Sequence, residues 1–155
     1  MQERCQMKVL LVCSSGGHFL KMHSLRDAWK ESEAVWVTFP AADTRYLLRH
    51  EKVYWAYYPT NRSIINLFRN FALALKLVIK EKPAVVISTG AGVGVPFLFI
   101  GKLYGIKTIF IESLTRITSL SLSGKLVYPI VSHFIVQWPS LAEKYKKAVF
   151  RGQVG

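Results

Sequence analysis

Acidic side chains are scarce in this 155-residue sequence: nine Asp and Glu stand against 21 Lys and Arg, for a formal charge of +12. No glycine-rich turn carries a DxD-like acidic pair, so a metal-held nucleotide is not expected, and the spacing of the four histidines gives no metal-ligand pattern. Cysteine is limited to Cys5 and Cys13, too few for a disulfide scaffold, and a reduced, cytosolic chain is the expectation. Neither a GxGxxG run nor a Walker A loop is present, which removes support for dinucleotide and nucleoside-triphosphate binding. Helix-turn-helix, RRM, KH and zinc-finger patterns are also missing, so the basic charge is not read as a nucleic-acid surface. The longest apolar stretch, Val93 to Ile111, is broken by Gly101, Lys102, Gly105 and Lys107 and falls short of a bilayer span. The start, Met1 to Lys8, is polar and leads directly into a strand, so no signal peptide is expected.

What remains is an apolar chain with a basic surface. Hydrophobic residues make up 51% of it, enough for one large core in one domain over residues 1–155. The charge calls for an anionic partner, either an anionic membrane surface or a phosphorylated ligand. Short apolar runs alternate with helical spacing: strands at Val9 to Cys13, Ala34 to Phe39, Val53 to Tyr57, Ala84 to Ser88, Lys107 to Ile111, His133 to Val136 and Ala148 to Phe150. Between the first two, Leu20, Leu25, Ala28 and Trp29 recur at helical spacing. Helices are also expected near Thr44 to Arg49, Ser63 to Lys80, Val95 to Tyr104, Leu120 to Ile130, and through Leu141 and Tyr145. This order predicts a Rossmann-like α/β fold, a parallel β-sheet with helices on both faces. Ligands of such sheets bind beyond the carboxyl ends of the strands, where strand order reverses. Three loops reach that edge.

The first is Ser14-Ser15-Gly16-Gly17-His18. Its glycines permit close backbone approach, and the helix start offers free N–H groups to a phosphate or diphosphate, although any tight turn uses the same residues. His18 is a candidate proton acceptor, with local capping or packing as the plainer alternative. The second loop, Thr89 to Gly94, repeats the glycine-rich form and offers Gly90 and Gly92 to a second anionic group or to close helix packing. The third opens on Glu112 directly after an apolar strand, with Ser113, Thr115, Arg116 and Thr118 behind it. Glu112 is a candidate base or sugar-hydroxyl ligand. Both His18 and Glu112 are expected to reach a ligand without being buried, so that replacing either leaves the fold intact.

The Ser63 to Lys80 segment shows an apolar face of Ile64, Leu67, Phe68, Phe71, Leu75 and Val78, flanked by Arg62, Arg69, Lys76, Lys80 and Lys82. That is more apolar surface than one side of a sheet needs. Phe68, Arg69, Phe71 and Lys76 are therefore placed at a membrane surface, with burial against a partner protein as the alternative.

The segments VLLVCSSGGHFL, PTNR, VVISTGAGVGVPF, IFIESLTR, SGKLVYP, FIVQW and GQVG together resemble the PssD-like capsular and exopolysaccharide biosynthesis proteins across essentially the whole chain. Those proteins are related to the membrane-anchored subunit of the eukaryotic two-part N-acetylglucosaminyltransferase that extends dolichol-diphosphate sugar. More distantly the pattern is similar to the N-terminal half of MurG, a GT-B enzyme with a polyprenyl-diphosphate acceptor. The resemblance implies an acceptor-binding subunit of a two-chain, UDP-sugar-dependent transferase, inactive alone. A separate chain with the C-terminal half of a GT-B enzyme would bind the UDP-sugar, and no further cofactor is implied. His18 and Glu112 match the acceptor-side positions of the cleft. Ser14 to Gly17, Gly90 and Gly92 would hold the lipid diphosphate, with Asn61, Arg62 and Arg116 beside it. Attachment to the cytoplasmic face of the plasma membrane would be peripheral, because the anchor of the eukaryotic subunit is absent here. The competing reading is a non-catalytic subunit that docks and activates its partner at the membrane.

Overall fold

The computed structural model describes residues 6–154, so Cys5 lies outside the described residues. Seven strands form one parallel sheet in the order β3-β2-β1-β4-β5-β6-β7. They are β1 Lys8–Val12, β2 Glu33–Thr38, β3 Lys52–Trp55, β4 Val85–Ser88, β5 Lys107–Ile111, β6 His133–Val136 and β7 Ala148–Phe150. The helices are α1 Gly17–Ser24, α2 Arg26–Trp29, α3 Ala42–Leu47, α4 Ile64–Glu81, α5 Gly94–Leu103, α6 Leu122–Val127 and α7 Pro139–Lys144. The expected Rossmann-like sheet is present. Its strand order reverses between β1 and β4.

Every side chain of β1 from Val9 onward is buried, because the strand is covered on both faces. Leu10 and Val12 point into the larger core with Phe97, Phe110 and Phe134, while Val9, Leu11 and Cys13 join Phe19, Met22 and Trp36 on the opposite face. Aromatic rings close this second core, with Trp36 edge-on to both Phe19 and Trp29. Burial of each such side chain contributes about 1.5–3 kcal/mol. Burial also pushes the Cys13 thiol up to about 12, which leaves it unreactive in the fold.

The first helical segment differs from its expected form. It breaks at Leu25 into α1 and α2, and Phe19, Met22 and Trp29 face the core while Leu20 is exposed. The residues at the expected spacing therefore do not share one buried stripe. α4 differs more. Its start is capped by Ser63, whose hydroxyl accepts from the Asn66 N–H, and it ends on left-handed Lys82 ahead of Pro83. Its buried stripe is Asn70, Ala74, Leu77, Val78 and Glu81. The Asn70 amide is buried because it accepts from the Tyr57 N–H and donates to the Tyr57 carbonyl, at 3.0 and 2.9 Å. Of the apolar face expected to be broad and continuous, Ile64, Leu67, Phe68 and Leu75 are exposed and only Val78 is fully buried. Among the described residues no helix is long and apolar enough to cross a membrane.

Candidate functional site

The reversal point brings the loops after β1 and β4 together. His18, the second residue of α1, places its Nδ1 2.7 Å from the carbonyl oxygen of Thr89, and the Thr89 hydroxyl donates back to the His18 carbonyl at 2.7 Å. A carbonyl only accepts, so Nδ1 carries the hydrogen and the neutral ring keeps Nε2 as its free acceptor. Gly90 lies beneath this ring with φ at 116°. A Cβ there would stand 2.8 Å from the imidazole Cε1, so the close approach needs glycine as much as the backbone does. Thr89 was inside the second loop as read from sequence but carried no signal of its own. Only the fold shows that it orients His18.

Glu112 follows β5 as expected but is not a free carboxylate. It is 1% exposed. Oε1 accepts from the Ser113 N–H at 2.8 Å, and Oε2 accepts from the Ser121 N–H and hydroxyl at 2.9 and 3.0 Å. Ser121 in turn caps α6 by accepting from the Gly124 N–H at 2.9 Å, and a Cβ on Gly124 would collide with the Glu112 carboxylate. The carboxylate thus ties the two ends of the 112–121 loop, which corrects the expectation that Glu112 stands clear of the fold. Its carbonyl accepts from Lys21 Nζ at 3.2 Å. Burial lowers the Lys21 pKa, and the Glu112 charge opposes that shift. Trp138, Ser140 and Lys144 donate to the carbonyls of Leu114, Ile117 and Thr118, so the outer part of the loop is held as well.

A cleft of about 1020 Å³ opens at this edge. His18, Gly90, Gly92, Glu112, Ser113 and Arg116 line its sheet end, with Asn61 and Arg62 approaching from the segment before α4. Thr60, not foreseen, lies against Gly92. Ile64, Leu67 and Phe71 of α4, Val95 of α5, and Leu122 and Leu126 of α6 form an apolar wall. Phe71 is half-buried, edge-on to Phe99, so it belongs to the cleft and not to the outer surface with Phe68, Arg69 and Lys76. Ser14, Ser15, Gly16 and Gly17 do not line the cleft. Gly16, with φ at 75°, donates its N–H to Asp43 Oδ2 at 3.0 Å, so that one N–H of the loop is already paired with a carboxylate of α3. Among the described residues no three His, Cys, Asp or Glu cluster as a metal site.

A family model described as oligosaccharide biosynthesis protein Alg14 like matches residues 48–154. The chain belongs to the Alg14-like family. The UDP-N-acetylglucosamine transferase subunit ALG14 of Candida albicans is 34% identical over 175 residues, covering 97% of this chain and 78% of that protein. The mouse subunit of the same name is 31% identical over 140 residues, covering 86% of this chain. The chain spans 63% of the mouse subunit's length and 46% of the Yarrowia lipolytica one. Among solved structures, Acinetobacter baumannii MurG superposes with a TM-score of 0.76 at 14% identity, covering 96% of this chain and 46% of that one. A UDP-N-acetylglucosamine 2-epimerase from Rickettsia bellii gives 0.73 at 13%, covering 96% and 45%. At such identities the likeness is one of fold. It places this Alg14-like chain on a Rossmann-type sheet that makes up under half of each larger protein.

Proposed function

We propose that this chain is the acceptor-binding subunit of a two-chain UDP-sugar-dependent glycosyltransferase acting on a lipid-diphosphate-linked sugar. The observation that carries the reading is the cleft itself, which an oriented imidazole and two arginines line together with an apolar wall. The names of the Alg14-like relatives favour UDP-N-acetylglucosamine as the donor, bound on a separate chain that supplies the other half of a GT-B cleft. The motifs shared with PssD-like proteins favour a polyprenyl carrier in capsule or exopolysaccharide synthesis. Arg62, Arg116 and the N–H of Gly92 hold the diphosphate, while the Gly90 N–H is donated to the Ser88 hydroxyl at 3.3 Å. The acceptor hydroxyl attacks the anomeric carbon, the bond to UDP breaks with its electron pair leaving on UDP, and His18 Nε2 takes the hydroxyl proton. Glu112 holds the loop that carries Arg116. The exposed side of α4, with Phe68, Arg69 and Lys76, rests on the cytoplasmic face of an anionic membrane, which makes the association peripheral.

The competing reading, a docking and activating subunit without chemistry of its own, is favoured by the engagement of Glu112 in the fold. One experiment separates the two. With the donor-binding chain, UDP-N-acetylglucosamine and a polyprenyl-diphosphate-sugar acceptor, the parent complex turns over, and His18→Ala lowers turnover by ~10²–10⁴-fold without weakening subunit assembly. Near-parental turnover of that variant would assign the chemistry to the partner. Product formed by this chain alone would defeat the two-chain scheme.

A further inference from the structure

The acceptor reading leaves the apolar wall without an occupant. Its six residues come from three helices, and the cleft lining on α4, α5 and α6 includes no charged side chain. Leu122 and Ile64 are 75% and 72% exposed, so the wall is an open trough and not an unfilled gap in the core. A volume near 1020 Å³ is at the upper end of small-molecule sites, more than a diphosphate alone needs. On α4 the buried stripe is followed round the helix by the cleft-lining residues Ile64, Leu67 and Phe71, and then by the exposed stripe of Ile65, Phe68 and Leu75. Apolar surface therefore runs from the outer face of α4 into the cleft, whose lining also includes Arg62 and Arg116.

We infer that the trough between α4 and α6 holds the first isoprene units of the lipid carrier, with the hydrocarbon chain entering sideways along α4. This rests on the acceptor reading and adds a subsite to it. Charge complementarity fixes the direction: the diphosphate pairs with Arg62 and Arg116, so the chain attached to it runs along the apolar residues that α4, α5 and α6 contribute to the cleft. Leu122 and Leu126 form the outer lip. Their contacts with the chain add to affinity as the chain lengthens. A fully buried methylene is worth about fourfold in affinity. An open trough covers the chain only in part, so each five-carbon unit adds about tenfold until the trough is filled.

The test uses the full chain with geranyl, farnesyl and geranylgeranyl diphosphate, and inorganic diphosphate as the headgroup-only probe. In the parent, affinity climbs with chain length. In Leu122→Gln with Leu126→Gln, both exposed positions that leave the core intact, the gain per unit falls to about twofold or less while inorganic diphosphate binds as in the parent. The variant still sediments with anionic phosphatidylglycerol vesicles, because the outer stripe of α4 is untouched. Equal affinity for all chain lengths, or an unchanged gain in the variant, overturns the trough and leaves headgroup binding standing. Loss of vesicle binding in the variant assigns the two leucines to the bilayer and also overturns it. Failure of every diphosphate to bind removes the acceptor reading together with the subsite.

Discussion

Glu112 and His18 sit at equivalent strand ends, yet their surroundings give them opposite freedoms. Among the described residues His18 pairs one nitrogen, with Thr89, and keeps the other free. Glu112 spends both oxygens on Ser113 and Ser121. In Glu112→Gln an amide NH₂ must replace one of those oxygens and face an N–H that needs an acceptor. The loss is about 1–3 kcal/mol, seen as a melting temperature lower by roughly 3–10 °C. Reconstituted activity should fall along with thermal stability, and the pH dependence of turnover should stay that of the parent. An unchanged melting temperature together with an altered pH profile would restore Glu112 as a proton carrier. The sequence placed both residues at the cleft, since a polar residue after a buried strand is easily read. It could not reveal that Ser121, nine residues on, would return to claim the carboxylate. That contact depends on how α6 packs beside α5, with Gly124 against the Glu112 carboxylate and Phe134 of β6.

At the scale of the element, α4 is the part of the chain that we propose to rest on a membrane. Its excess of apolar residues was legible from composition, but which of them face the core was not. Two polar residues, Asn70 and Glu81, take positions on the buried side because each finds partners there, Asn70 on the Tyr57 backbone and Glu81 on Lys8, Lys52 and Tyr54. Periodicity counts apolar side chains and is blind to such pairing. The consequence is an outer stripe with Ile65 and Phe68 at 67% and 68% exposure, beside Arg69 and Lys76. Burial in a bilayer interface needs both the apolar stripe and the cationic rim. Ile65→Glu with Phe68→Glu should abolish sedimentation with anionic vesicles while leaving the melting temperature near the parent's, because neither side chain packs in the core. Higher salt should weaken vesicle binding of the parent. Undiminished sedimentation of the double variant would move the stripe to a protein interface.

Across the whole molecule, the alternation of seven short strands with helices was legible because each strand is a brief apolar run closed by polar or glycine-rich residues. The strand order reverses between β1 and β4, and with right-handed crossovers that reversal puts the helices of the two halves on opposite faces of the sheet. Less legible was the ionic tie at the opposite edge of the sheet from the cleft. Lys8 starts β1, Lys52 starts β3 and Glu81 ends α4, and only the register of these elements joins them. Burial pushes the Glu81 carboxyl up, but the bonds from Lys52, Tyr54 and Lys8 together outweigh it and hold its pKa at about 2, against an ordinary 4.5. A carboxyl depressed in the folded state stabilises the fold above its unfolded pKa, and that stability is lost as pH falls through the folded one. The contribution is therefore complete at neutral pH, on the order of 3 kcal/mol, and declines from about pH 4.5 towards pH 2. Glu81→Gln keeps the shape and removes the charge. Denaturant unfolding of parent and variant should show the variant weaker at pH 7 by an amount of that order, with the gap closing as pH is lowered. Taking the difference between the two proteins cancels the acid sensitivity of the other carboxylates. The two lysines left behind are partly exposed and regain water, so the variant should still fold. A gap that stays constant from pH 7 to pH 3 would mean that Glu81 acts through packing alone, and the ionic account of this edge of the sheet would fail.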